Sequence, residues 1–176
     1  MDHCEECGFV YASGPRDELH GRLRDFGSRF RATVGARGDV RRRPAPEVWS
    51  PLEYACHVRD VLRVQRERLA LALATHEPEF VPMGRDERAV DERYNEQDVE
   101  VVLTDLAAAA DALADAVAAL TPEQWQRTGV YPWPARQVRT VEWVARHSVH
   151  EGEHHLLDIA RQAALPRRDQ GEVDLV

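Results

Sequence analysis

Apolar residues recur along this chain at steps of three and four in four separate runs, and stretches rich in proline, glycine and charge divide the runs. The first run is Leu19, Leu23, Phe26, Phe30 and Val34. It predicts a helix that begins at Pro15, with Ser13 or Gly14 as cap, and stops at Gly35 to Gly38. Arg41 to Pro46 reads as a stiff, basic connector. The second run opens on Ser50-Pro51-Leu52-Glu53, which supplies an N-cap, a proline at N1 and a capping-box glutamate at N3. Its helix extends to about Ala74, with Tyr54, His57, Val61, Val64 and Leu71 on one face and Leu52, Cys56 and Leu62 beside it. The third helix covers Glu96 to Leu120 on the stripe Val99, Val102, Leu106, Ala110, Leu113, Val117 and Leu120, and Thr121-Pro122-Glu123 restarts a short turn carrying Trp125. The fourth runs from a cap at Thr140 to Leu165, where Pro166 stops it. Its inward line is Val141, Val144, Ser148, Glu151, His155 and Ile159. Residues 76–95 and 129–136 read as irregular, and no strand-like alternation of useful length occurs. The expected fold is therefore all-α, four long helices around one core.

Length agrees with one domain: 176 residues suffice for a proper core. The bundle is expected over residues 15–166, preceded by an amino-terminal CxxC segment, 1–14, and followed by a tail, 167–176. The net charge of −8 argues against non-specific binding to nucleic acid or to an anionic membrane. No apolar run approaches the roughly 20 residues needed to span a bilayer. The opening MDHCEECGFVYASG has neither a basic nor an apolar leader region, so the expected location is the cytoplasm. All 23 basic residues are arginine, which removes Schiff-base lysine chemistry from consideration. This bias, with the many alanines, is that of a high-GC genome.

Candidate chemistry sits on the apolar lines. Four of the eight histidines fall in RHSVHEGEHHLLD, between residues 147 and 155. Positions four apart on a helix lie one above the other, about 6 Å apart along the axis. Glu151 with His155 is such a pair, and so is His150 with His154. The first pair continues the inward stripe, where an unpaired carboxylate costs on the order of several kcal/mol. His57 sits on the second helix in the same way. Three such groups meeting in a bundle core make a transition-metal site with a position left open for water or substrate. Asp158 and Asp60 are candidates to orient an imidazole. Surface histidines such as His147 and His150 also have a plain reading as solvated side chains. Cys56 points roughly 100° away from His57 and reads as core.

WSPLEYACHVRDV, DERYNEQD and VHEGEHHLLDI, in this order, resemble the DinB-like superfamily, and in particular its branch containing mycothiol-dependent maleylpyruvate isomerase. The likeness spans about residues 15–165. It implies a DinB-like four-helix bundle of up-down-down-up type and a zinc or nickel ion held by three side chains. Carried over position by position, the ligands are His57, Glu151 and His155, with His150 and His154 as the alternative fourth-helix pair. The resemblance further implies a small electrophilic substrate and a low-molecular-weight thiol of the mycothiol type, whose thiolate the metal stabilises for transfer or isomerisation. Despite its name, the family does not imply DNA repair. It allows a homodimer, for which the sequence holds no diagnostic patch. A metal-dependent hydrolase and a non-catalytic metal-binding bundle are the competing readings. Arg59 and Arg85 are candidates to hold an anionic substrate, against a plainer reading as solvated surface.

Cys4-Glu5-Glu6-Cys7-Gly8 is half of a zinc knuckle. A closed site needs two further ligands, and His3, His20 and the fourth-helix histidines are the candidates.

Overall fold

Each of the four apolar stripes is folded as helix in the computed structural model, which describes residues 3–132 and 135–163. A 3₁₀ turn, Arg16–Glu18, leads into α1 (Leu19–Arg24) and α2 (Phe26–Gly35). The two form one stem, because Asp25 between them keeps helical angles (φ −65°, ψ −18°). All five residues of the first stripe are buried. The second stripe forms α3 (Pro51–Ala74), started by the expected capping box: the Ser50 hydroxyl accepts from the Glu53 amide at 3.2 Å, and the Glu53 carboxylate accepts from the Ser50 amide at 2.8 Å. Leu71 departs from its expected inward face and is 42% exposed, lining an open cleft between α3 and residues 79–88.

Residues 76–95 are not wholly irregular. They contain α4 (Arg85–Asp91), which starts at Gly84 in the left-handed region (φ 65°), and a 3₁₀ turn, Tyr94–Glu96. The third stripe forms α5 (Val99–Ala118), which starts later than Glu96 because Asp98 supplies the cap, its carboxylate accepting from the Val101 amide. Thr121 and Gln124 cap a single turn, α6 (Pro122–Trp125), reciprocally. The fourth stripe forms α7 (Val141–Ala163), capped by the Thr140 hydroxyl on the Trp143 amide. The expected stop at Leu165 and Pro166, and the tail beyond it, lie outside the described residues, as does Pro134.

The expectation of no strands needs correction. β1 (Thr128–Tyr131) and β2 (Gln137–Thr140) form an antiparallel hairpin with Thr128 opposite Thr140 and Tyr131 opposite Gln137. Residues 78–80 join its edge: the Phe80 amide donates to the Val130 carbonyl at 3.0 Å and the Val130 amide to the Pro78 carbonyl at 2.8 Å. The Tyr131 hydroxyl then accepts from Gln65 and Arg68 of α3 at 2.9 and 2.8 Å, which pins the hairpin to the bundle.

Cross-helix contacts fix the helix directions. Arg24 pairs with Asp111 and Asp115 late in α5, whereas Arg31 pairs with Glu100 at its start, so the first stem and α5 are antiparallel. Cys56 approaches Gln97 and Arg63 pairs with Asp105, so α3 and α5 run parallel. Gln162 donates to the Trp49 carbonyl while His57 faces Glu151, so α3 and α7 are antiparallel. Up-down-down-up is the result, as the sequence resemblance implies. No helix among the described residues is long and apolar enough to cross a membrane.

Gly152 sets how closely α7 approaches the first stem. A Cβ at this position would stand 2.2 Å from the Phe26 ring, which is fully buried and has no room to swing. Gly152→Ala gains about 1 kcal/mol of helix propensity. Overpacking costs about 1–3 kcal/mol, and so close a contact calls on the top of that range. The expected net result is a lower urea midpoint with an unchanged slope; a midpoint at or above wild type would contradict it.

Candidate metal centre

Local structure explains why three polar side chains meet in an apolar core. The capping box starts α3 at Pro51, which places His57 almost two turns in, and the helix is held at that register from outside. Arg43 clamps the Glu53 carboxylate through two nitrogens. Asn95 accepts from the Ser50 hydroxyl at 2.7 Å and donates to the Arg41 carbonyl at 2.8 Å. The DERYNEQD stretch therefore braces the start of α3. Its Tyr94 is wholly buried and donates to Asp60 at 2.7 Å.

His57 is buried, with Nε2 3.6 Å from Glu151 Oε2. His155 Nε2 lies 3.7 Å from the same oxygen, and the two imidazoles stand 4.9 Å apart at 82°. A tetrahedral ion with bonds of about 2.0–2.1 Å keeps its ligand atoms about 3.3–3.4 Å apart, so the three groups are close to that spacing already. His155 Nδ1 lies 2.9 Å from Asp158 Oδ2, which turns Nε2 toward His57 and Glu151. Tyr54 stacks on the His155 ring at 5.1 Å and Trp49 meets the His57 ring edge-on at 5.2 Å. His57 Nδ1 is buried without a hydrogen-bond partner.

Electrostatics suit cation binding. Burial pushes the His57 pKa down, which keeps its ring neutral with a free lone pair. Burial alone would raise Glu151, but the His150, His155 and His57 rings outweigh it and hold the carboxyl well below its usual range. For His155 burial is likewise outweighed, by Asp158 and Glu151, and its pKa rises to about 9.

The second carboxylate oxygen of Glu151 faces the other way. Oε1 lies 3.6 Å from His147 Nε2 and 3.4 Å from His150 Nδ1. Tyr11 caps both rings, its hydroxyl 2.7 Å from His147 Nδ1 and 3.2 Å from His150 Nδ1. The plain reading of His147 and His150 as solvated is thus corrected: both are buried, because residues 9–11 cover them. Burial lowers the His147 pKa to about 4. The sequence signal for His147 was its place four residues before Glu151 and four after Trp143, on whose ring it stacks at 4.6 Å. No comparable signal marked Tyr11.

Two further expectations change. Asp60 orients no histidine; it takes Arg59 at 2.8 and 3.0 Å and Tyr94 at 2.7 Å. Arg59 is accordingly buried against Asp60, which corrects its reading as solvated surface. Arg85 is exposed, with its guanidinium 5.1 Å above the Trp49 ring. His150 and His154 do come together, but with Cys4 and Cys7, apart from His57. Cys56 is core, as expected.

The sequence model of the DinB superfamily matches residues 16–159. The chain belongs to the DinB superfamily. Among solved structures, this DinB chain is similar to YfiT from Bacillus subtilis, described as a probable metal-dependent hydrolase with an unusual four-helix bundle topology. The TM-score is 0.74 at 17% identity, over 88% of this chain and 93% of that one, a likeness of fold. No curated protein matches the chain.

Proposed function

We propose that this DinB-superfamily chain is a metal-dependent hydrolase of a small molecule, with His57, Glu151 and His155 as ligands of a zinc or nickel ion. The observation that carries the reading is the meeting of two buried imidazole nitrogens and one half-buried carboxylate oxygen, with the carboxylate 3.6 and 3.7 Å from the two nitrogens. Two histidines and one glutamate are a donor set used by hydrolytic zinc sites. Bound there, a divalent ion supplies Lewis-acid activation of a nucleophile in the position that three protein ligands leave open.

The chain's own residues do the remaining work. Asp158 fixes the His155 ring, and Glu151 holds a full negative charge between the histidines. Tyr54 covers a face of the His155 ring and Trp49 meets the His57 ring edge-on, so aromatic surface walls the centre. Arg85, above Trp49, puts a cation at the rim, where an anionic group of a substrate is met.

A second reading, transfer of a low-molecular-weight thiol of the mycothiol type to an electrophile, is favoured by the histidine-bearing motifs of α3 and α7 and by their likeness to the isomerase branch. One experiment separates the two. Metal-loaded protein is offered ester, amide and electrophile panels with and without mycothiol. Thiol-independent product supports hydrolysis, and strict thiol dependence supports transfer. No turnover in either arm, by protein with a filled centre, overturns both and leaves a non-catalytic metal-binding bundle.

A further inference from the structure

The half knuckle in the sequence finds its other half on α7. Cys4, Cys7, His150 and His154 offer two sulfurs and two imidazole nitrogens that all lie within 4.8 Å of one another. We propose that these four residues bind a second, structural zinc ion that fastens the amino-terminal hairpin to α7. This site shares no ligand with His57, Glu151 and His155.

The local fold supplies the geometry. The Cys4 amide donates to the Phe9 carbonyl and the Gly8 amide to the Cys4 carbonyl, both at 2.8 Å, and His3 bridges Val10. Gly8, at φ 74°, takes the left-handed turn that brings the chain back after Cys7. The result is a tight loop with both thiols turned toward α7. Cys4 Sγ lies 3.7 Å from His154 Nδ1. With Zn–S near 2.3 Å and Zn–N near 2.0–2.1 Å, a tetrahedral ion sets that edge at about 3.6 Å.

Each imidazole is also held as a metal ligand is held, with one nitrogen engaged and the other free for an ion. His154 turns Nε2 to Glu6 Oε2 at 3.3 Å and Asp158 Oδ2 at 3.5 Å, leaving Nδ1 toward Cys4. His150 turns Nδ1 to the Tyr11 hydroxyl, and its Nε2 is buried with no partner. A disulfide between Cys4 and Cys7 would leave that nitrogen orphaned; a metal satisfies it. Two thiolates and two imidazoles close the coordination sphere, which is the pattern of a structural site. Helix geometry keeps the two centres apart, since 150 and 154 lie about 100° around α7 from 151 and 155. A hairpin this short buries little apolar surface by itself, the circumstance in which small folds use a metal staple.

The test uses the reduced full-length protein loaded with cobalt(II) or zinc. Cobalt at this site should give a sulfur-to-metal charge-transfer band and intense tetrahedral visible absorption. The His57, Glu151, His155 centre has no sulfur, so His57→Ala should keep the band and lose one metal equivalent. The double variant Cys4→Ser/Cys7→Ser should lose the band and the other equivalent. Zinc should slow alkylation of Cys4 and Cys7 at least tenfold relative to the metal-free reduced protein, a readout on the wild-type chain that stands even where the double variant does not fold. A cobalt-loaded wild type without the charge-transfer band, or thiols alkylated equally fast with and without zinc, overturns the proposal and leaves the reading of the His57 centre untouched.

Discussion

His57→Ala is expected to abolish tight metal binding at the inner centre, with a loss larger than the about 10–100-fold that removal of an outer-shell partner costs. The reason is geometric. Glu151 and His155 come from successive turns of one helix, and only His57 reaches the site from across the bundle. Without it a bound ion keeps two protein ligands on one side and is readily lost. His155→Ala should act alike, whereas His154→Ala should leave this centre filled. Asp158→Asn should fall within the outer-shell range, since it weakens the hold on His155 Nδ1 without removing a ligand. Calorimetric titration measures all four. Wild-type affinity in the His57 variant would sink the ligand assignment. The same titration carries a pH signature. His155 has its pKa raised to about 9, so below that pH an incoming ion displaces its proton. Binding should release protons near neutral pH, and apparent affinity should fall as pH falls.

The second large effect concerns stability. Asp60 and Arg59 are both buried and face each other through two hydrogen bonds. Asp60→Ala strands the guanidinium with only Gln97 at 2.7 Å and Glu92 at 3.7 Å. Breaking one side of such a pair costs about 3–5 kcal/mol, a Tm drop of roughly 6–20 °C for a chain of this size. Burial would raise the Asp60 pKa, but Arg59 and Tyr94 outweigh it and hold it below its ordinary 3.8. A carboxyl depressed in the folded state stabilises above its unfolded pKa, and loses that contribution as pH falls toward the folded value. The gap between wild type and Asp60→Ala should therefore be full near neutrality and shrink below about pH 4. Urea melts in chelator, which remove any metal contribution, check this; a gap that widens in acid would refute the assignment.

Local signals in the sequence were strong where the interaction is local. The capping box at Ser50, the cap at Thr140 and the stripe from Leu19 to Val34 each depend on residues within a few positions, and each is found in the structure. The hairpin was hidden because its strands are four residues long, β1 is buried at three successive positions, and β2 is largely exposed, so neither alternates. The inner trio was legible as polar groups on apolar lines. The competition between 151/155 and 150/154 was not resolvable from spacing, since both pairs obey the same period. What divides them is the packing of residues 4–11 against one flank of α7 and of α3 against another, a tertiary fact with no local trace.

Gly152 lies between these pairs and bears no side chain, so the seat of α7 is the flat face of Phe26 against bare backbone. Aromatic carbon against main chain yields far less than one flexible side chain against another. The reach from Glu151 and His155 to His57 is thus a calliper whose jaw is set in the first stem, by a residue that touches no ligand. For the proposed inner centre, a substitution at Phe26 that lets α7 settle or lift is therefore expected to alter which ions fit, with every donor atom left in place.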